Sequence, residues 1–496
     1  MANHLFDALF APLRGRQTPL LIMADGATIS GQQFFAMLAR AANVLQGHGI
    51  KPGDRIAAQI AKSPEALALY AASVAVGAVF LPLNPAYTAA EVDYFLGDAT
   101  PAAFVCDPAR EAELSPLART HGAALLTLDG KAGGSLARMM AAASEQIVPT
   151  PRLPQDLAAI LYTSGTTGRA KGAMLTHGNL LSNAAVLADL WRFTPKDVLL
   201  HALPVFHTHG LFVASNIALL SGCAMVFLPV FDVTTVLRLL PRATAMMGVP
   251  TFYTRLLDAP EFTRAAAAHM RLFVSGSAPL LEDTHVAFQA RTGHRILERY
   301  GMTETNMNTS NPYEGERRAG TVGFPLPGVE LRLSGGAAVG GVEVRGPNVF
   351  AGYWKMPDKT AAEMGADGWF VTGDLGMFDA DGYLHIVGRA KDLIITGGFN
   401  VYPREVELLL DEVPGVLESA VIGLPHRDFG EAVFAVLTAR AGDAPDPEAV
   451  LAAIRPKLAK FKHPKAALVI SELPRNAMGK VQKNLLRQQF EGWFTP

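Results

Sequence analysis

Short runs of Val, Ile, Phe and Leu alternate with Ala/Leu-rich stretches of helical spacing, and this alternation limits the fold more than any other feature. Phe34–Leu45 carries apolar residues on one helical face. After the turn signal Lys51-Pro52-Gly53-Asp54, Arg55–Ile60 reads as a strand, Ala66–Val76 as a helix and Val79–Leu83 as a strand again. Repeated βα units bury their apolar faces by laying helices against a largely parallel sheet. The expected fold class is α/β, with a large N-terminal domain of layered βα subdomains. Near residue 320 the texture changes. Gly320–Gly346 and Asp367–Gly388 are rich in Gly, Asp and β-branched residues, as in a β-rich subdomain, and Asp379-Ala-Asp381-Gly382 is a turn signal between short strands. Beyond Arg389 βα alternation returns: Glu405–Leu410 reads as a helix opened by Pro403, Ala420–Gly423 as a strand and Glu448–Leu458 as a helix. A boundary at Gly388–Lys391 divides residues 1–388 from a small α+β domain, 389–496, of ordinary domain size.

Two uncharged stretches are long enough to raise the question of a membrane. Ala66–Leu83 has eighteen residues without a charge and Val198–Phe231 thirty-four. The first carries Gly77 and Pro82; the second holds His201, Pro204, His207, His209, Asn216 and Gly222, which are costly in hydrocarbon. Both read as buried core, and the N-terminal residues do not read as a secretory signal. With half its residues hydrophobic and 18% charged, the chain is not of disordered composition. Its 43 basic and 45 acidic side chains leave a net charge of −2, which predicts neither a nucleic-acid partner nor a membrane-surface protein. Two cysteines, Cys106 and Cys223, make no disulfide framework, so a reducing cytoplasm is expected. His201, His207 and His209 lie close together, but no nearby acid or cysteine completes a metal site.

Chemistry enters at Leu161–Thr176, LYTSGTTGRAKGAMLT. A strand, Ala158–Leu161, runs into a loop of Thr163, Ser164, Gly165, Thr166, Thr167 and Gly168, and Lys171 follows. Glycines let backbone N–H groups approach phosphates, hydroxyls add donors and the lysine adds charge. A Walker A match from Gly165 would need glycine at 170 and Ser or Thr at 172; Ala170 and Gly172 stand there.

TSGTTGRAKG resembles the phosphate-binding signature of the adenylate-forming superfamily, which includes acyl-CoA synthetases, luciferases and peptide-synthetase adenylation domains. Tyr300-Gly301-Met302-Thr303-Glu304, Thr372-Gly373-Asp374, Gly388-Arg389-Ala390-Lys391-Asp392 and Asn476-Ala477-Met478-Gly479-Lys480 follow in that family's order. The link Leu333–Gly341 is shorter than the family's usual hairpin. The resemblance implies ATP-driven conversion of a carboxylate to an acyl-adenylate, then thioester formation with CoA, and a mobile C-terminal lid that turns about Lys391. It implies that Lys480 bridges carboxylate and α-phosphate, that Thr303 reaches that phosphate, and that Glu304 holds Mg²⁺. Asp374 would take the ribose hydroxyls, Arg389 ribose or phosphate, and Ser277, Ala278 and Pro279 would lie along adenine beside Glu298 and Tyr300. His207 would sit beside the acyl carboxylate with Ser277, and Gly397 and Gly398 would let the pantetheine arm pass. Taken alone, Lys480 would be a solvated lysine, Glu304 a surface carboxylate and Asp374 a turn residue.

Arg299 is the informative departure. A guanidinium beside the acyl pocket disfavours a fatty or aryl tail and pairs bidentately with a second carboxylate; the competing reading turns it outward to a surface ion pair. ERYGMTET with MMGVPTFYTRLL and Phe206-His207-Thr208-His209-Gly210 is most similar to malonyl-CoA synthetases, which implies malonate as the acid and methylmalonate as a second substrate. The resemblance also implies control by a lysine acetyltransferase and deacetylase acting on Lys480, since acetylation removes its charge. Three other readings use the same motifs: a synthetase for another short-chain acid, an enzyme loading a carrier protein, and a nucleotide sensor. The last would be favoured by a missing motif lysine or acid, and none is missing.

Overall fold

The computed structural model describes residues 2–163, 170–336, 338–396, 399–440, 445–476 and 479–494. Among these, the strands form sheets of nine, six, four and five members. In the six-stranded sheet Arg55–Gln59 lies between Val79–Pro82 and Ala103–Cys106, all parallel, and the edge pair Leu157–Thr163 and Lys171–Thr176 is antiparallel. In the nine-stranded sheet Val198–His201, Ala245–Gly248, Leu272–Ser275 and Leu297–Met302 run parallel, and Asn306–Ser310 folds back antiparallel on the last.

One apolar cluster joins the two sheets through the helices between them. It takes Leu199, Met247 and Val274 from one sheet, Ile56, Phe80 and Ala159 from the other, and Phe34, Leu38, Leu67 and Val74 from helices Gly31–Gly47 and Pro64–Val76. The second helix is packed on every side, from Pro64 through Val76. That explains an uncharged stretch without amphipathic spacing: it has no solvent face. Its ends are set locally. Ser63 accepts a hydrogen bond from the N–H of Ala66, Pro64 opens the first turn, and Gly77 closes the helix at φ +74°. The thirty-four-residue uncharged stretch becomes strand, π-helix (His209–Ser215), α-helix (Asn216–Ser221) and strand. No helix among the described residues is long and apolar enough to cross a membrane.

Glu330–Ser334, Gly340–Arg345, Phe370–Phe378 and Leu384–Arg389 form the antiparallel four-stranded sheet. Beyond it, the strands between Ile394 and Ile470 make the last sheet, with helices Pro403–Asp411, Pro447–Ile454 and Lys483–Phe490. The clusters within this part hold only residues from Ile394 onward, and the others end at Ile386. The helix expected over Glu448–Leu458 stops at Ile454 and gives way to a 3₁₀ turn, Arg455–Lys457. Pro456 lacks the N–H that a further α-helical turn would use.

Three buried asparagines tie these layers together behind the Thr303–Thr305 turn. The amide of Asn348 donates to the carbonyls of Thr305 (2.8 Å) and Met307 (3.1 Å). Asn179 donates to Pro347 and Val349, both at 2.8 Å, and Asn183 to Met307 at 2.9 Å. Removing a buried donor strands its acceptors, at a cost of about 1–3 kcal/mol. Asn348→Ala is expected to lose that much stability in a denaturant titration; a midpoint equal to wild type would show that water replaces the amide at no cost.

Candidate active site

Thr163 and Lys171 are the last register pair of the antiparallel strands that carry the phosphate loop. Ser164, Gly165, Thr166, Thr167 and Gly168 lie outside the described residues. At the base of the loop the Thr163 hydroxyl donates to Glu304 Oε1 (3.3 Å). The Tyr353 hydroxyl sits between Glu304 (3.0 Å) and Glu363 (2.7 Å). Lys171 is buried, its ammonium 3.3 Å from Glu363 and 4.1 Å above the Tyr353 ring. Burial raises the Glu304 carboxyl above its ordinary range. Burial also works to raise Glu363, but hydrogen bonds from Lys359 and Tyr353 and the charge of Lys171 bring it below its ordinary value. Tyr353 and Glu363 had no signal in the sequence: Glu363 is 192 residues from Lys171, on the ordinary helix Pro357–Glu363.

Asp374 and Arg389 are cross-strand partners, and Arg389 Nε lies 2.6 Å from Asp374 Oδ1. Tyr300 donates its hydroxyl to the other oxygen of Asp374 at 2.5 Å. Burial, then the charge of Asp374, pushes the Tyr300 phenol far up. Thr303 is half-buried in the turn after Leu297–Met302. Gly301 is needed there because a Cβ would stand 1.9 Å from the Asn306 carbonyl oxygen.

Lys480 reaches this group from the C-terminal part of the chain. Its N–H donates to Asn476 Oδ1 (3.0 Å), Gly479 turns at φ +76°, and Arg475 donates to the Gly479 carbonyl (2.6 Å) while pairing with Glu418. A Cβ on Gly479 would lie 3.7 Å from Thr251, in the first turn of Pro250–Asp258, so the loop lies against the larger part of the molecule. The Lys480 side chain keeps an exposed surface, but desolvation and the charge of Arg389 push its ammonium down to about 8 against the pull of Asp374 and Asp392. Lys391 is exposed on the 3₁₀ turn Ala390–Asp392, and Arg487 pairs with Asp392 at 2.7 Å. Gly397 and Gly398 lie outside the described residues.

Strand alternation sends Glu298 and Arg299 to opposite faces. The Glu298 carboxylate meets His285 Nδ1 at 3.4 Å, and burial raises it. Arg299 is 4% exposed and lies across Gly276, where a Cβ would stand 2.3 Å from its Cζ. Its Nε and Nη2 have no hydrogen-bond partner among the described residues, and burial pushes it down to about 9. The surface ion pair considered above is not formed: no carboxylate pairs with Arg299 among the described residues, because the side chain points inward. Beside it, Ser277 adopts φ +72° and its hydroxyl meets His209 Nδ1 at 3.1 Å. His209 Nε2 is another buried nitrogen without a partner among the described residues. Burial, then Arg299, pushes His207 down to about 4, so it is neutral near pH 7. Ala278 is half-buried and Pro279 exposed on the same loop. Sequence reasoning named Ser277 and His207 but missed His209 and Gly276 as ring partner and floor of the pocket.

The arrangement gathers charges in two groups: Lys171 and Arg389 both act on Glu304 and Arg389 also on Lys480, while Arg299 acts on His207 and His209. Comparison with known proteins is consistent with that chemistry. The AMP-binding enzyme family matches residues 13–354 and the AMP-binding enzyme C-terminal domain residues 405–480. A malonate–CoA ligase of Arabidopsis thaliana is 33% identical, with 98% of this chain and 89% of that protein covered. ATP-bound MatB from Rhodopseudomonas palustris is 54% identical over the full length of both chains, with a TM-score of 0.97. Apo MatB from the same organism, at the same identity and coverage, gives 0.85. The chain belongs to the AMP-binding enzyme family.

Proposed function

We propose that this protein is a malonate–CoA ligase: it converts malonate, ATP and CoA to malonyl-CoA, AMP and pyrophosphate through malonyl-adenylate, with methylmalonate as a second acid. The observation that carries the choice of acid is Arg299, a buried guanidinium with two unpartnered nitrogens and a glycine floor. A buried cation without a counter-ion is costly, and a carboxylate on the substrate is the partner that would offset it. The name of the Arabidopsis relative supports the same acid.

In the first half-reaction a malonate oxygen attacks the α-phosphorus and pyrophosphate leaves. Two anions must approach, so fixed cations and oriented donors carry most of the work. Lys480 would lie between carboxylate and phosphate, Thr303 would donate to the phosphate, and Lys171 with the phosphate loop would hold the leaving group. Asp374 would accept from the ribose hydroxyls, and neutral His207 would donate to the reacting carboxylate. Glu304 is a buried carboxylate beside the loop, raised by burial and drawn down by the charges of Lys171 and Arg389, so its chemistry fits Mg²⁺. Bound there, the ion would offset phosphate charge. In the second half-reaction the CoA thiolate attacks the acyl carbon and AMP leaves. For this step residues 389–496 would turn as a lid about Lys391 relative to 1–388, the thiol arriving past Gly397 and Gly398. The break between apolar clusters at 386–394 supports that division, and the nearer likeness to ATP-bound than to apo MatB supports reading the present arrangement as the adenylation one.

Three measurements test this reading. Lys480→Ala is expected to abolish malonate-dependent ATP–pyrophosphate exchange while sparing the conversion of pre-made malonyl-adenylate to malonyl-CoA; equal loss of both would count against alternation. Because Lys480 acts as its ammonium and is held down to about 8, kcat/KM for adenylation should fall as pH rises through about 8, since that ratio reports the free enzyme. A flat profile from pH 7 to 9.5 would remove the lysine from the rate. For Arg299→Ala, the uncompensated distal carboxylate costs about 3–5 kcal/mol by analogy with a broken buried pair, or roughly 10²–10³·⁵ in kcat/KM for malonate. Propionate should change little, and parallel losses for both acids would make Arg299 a scaffold residue.

A further inference from the structure

Lys62 is a buried lysine that the mechanism does not use. It follows the strand Arg55–Gln59 of one sheet, and its ammonium nitrogen reaches the carboxyl end of Val198–His201 in the other. There it lies 3.0 Å from His201 Nδ1, 2.8 Å from the carbonyl oxygens of both His201 and Leu203, and 4.3 Å from the Phe227 ring centroid. His201 is fully buried, and its Nε2 lies 2.9 Å from the Gly210 carbonyl oxygen and 3.0 Å from Ser215 Oγ.

These contacts count protons. A carbonyl only accepts, so Nε2 carries a hydrogen toward Gly210. If the ring is neutral, Nδ1 is then an acceptor, and Lys62 must donate to three acceptors at once, which takes an ammonium. If Lys62 is instead the neutral amine, its two hydrogens go to the carbonyls and its lone pair faces Nδ1, which must carry a hydrogen and make the ring cationic. Both assignments hold one positive charge on the pair. Burial pushes each group's basicity well down, and the three hydrogen bonds at the Lys62 nitrogen work in the other direction by favouring the charged form of the pair.

We infer that Lys62 and His201 share one proton as a fixed cation behind the acid pocket, and that this cation, with Arg299, selects an acid carrying a second negative charge. The inference rests on the malonate reading. Gly210 connects the pair to the pocket: it follows His209, whose ring meets Ser277, and it is held where a Cβ would stand 1.9 Å from the Pro204 carbonyl oxygen. His209 feels the charges of both Arg299 and His201. Lys62 is thus a positioning and field residue, not one that touches substrate. An unpaired buried cation is a poor stabiliser of a fold, but a low-dielectric wall keeps its field from being screened on the pocket side.

The test is the ratio of kcat/KM for malonate to that for propionate in wild type, Lys62→Met, Lys62→Gln and Arg299→Ala, with the melting temperature of each. Lys62→Met keeps the stem without charge; Lys62→Gln keeps two N–H donors without charge. Both are expected to lower the ratio about tenfold through a higher KM for malonate, with kcat and propionate kinetics little changed and melting temperature equal or raised. An unchanged ratio in both, or a ratio restored in Lys62→Gln, would overturn the inference by showing that the charge is not the cause. A parallel loss for both acids with a lowered melting temperature would make Lys62 structural and would overturn it as well. If Lys62→Met does not fold, Lys62→Gln carries the comparison. The Arg299 variant separates the two ideas: loss of malonate preference there but not in the Lys62 variants sinks this inference alone, whereas a wild type without malonate preference sinks the substrate reading and this inference with it.

Discussion

Burial of the apolar helix Pro64–Val76 between two largely parallel sheets is the constraint on which the rest of the structure depends. A parallel sheet needs crossover helices, and helices without a polar face need a second sheet to cover them. Once Pro64–Val76 is covered from both sides and Gly31–Gly47 has laid its apolar face against the same cluster, each sheet opens its strands' carboxyl ends to the loops that follow. Thr163, His201, Ser275 and the Arg299–Met302 segment all sit at such ends. Ligands of open α/β sheets collect there because backbone amides, glycines and short loops converge outside the strands.

Charge is distributed unequally over this frame. Arg271, just ahead of the strand Leu272–Ser275, pairs with Asp197 at 2.6 Å and donates to the Trp191 carbonyl. Arg299, on the next strand, is more deeply buried and has no such pair. The first is held by the scaffold; the second keeps two unpaired nitrogens among the described residues. Lys171 and Arg389 lie between these extremes, each already paired with a carboxylate, Glu363 and Asp374.

The lysine loop depends on a different kind of support. Arg475 spans from Glu418 on the strand Val416–His426 to the carbonyl of Gly479, so the orientation of the C-terminal sheet is transmitted to the residue beside Lys480. The same loop comes near the large part of the molecule at Thr251, where a Cβ on Gly479 would stand at ordinary van der Waals distance. That is a contact which can be made and released without rebuilding a core, unlike the apolar clusters on either side.

Much of this was legible before any coordinates. Alternating strand and helix signals named the fold class and several elements nearly to the residue, because propensity and periodicity are local. The five motifs placed Thr163, Glu304, Asp374, Arg389 and Lys480 in one reaction, and the structure brings these five into one neighbourhood. What the sequence could not say is which charges are compensated. Arg299 and Arg271 look alike in a string of letters, and Glu363, Tyr353, His209 and Lys62 carry no local signal at all. Lys171 for Glu363, Glu304 for Tyr353, Ser277 for His209 and His201 for Lys62 lie between 49 and 192 residues away, so these roles arise only when packing decides which groups lose water and which find a partner. By itself the sequence determined the elements and the chemistry they belong to. Tertiary structure decided where a cation stays unpaired, because desolvation and pairing are properties of the space around a group and not of the chain that carries it.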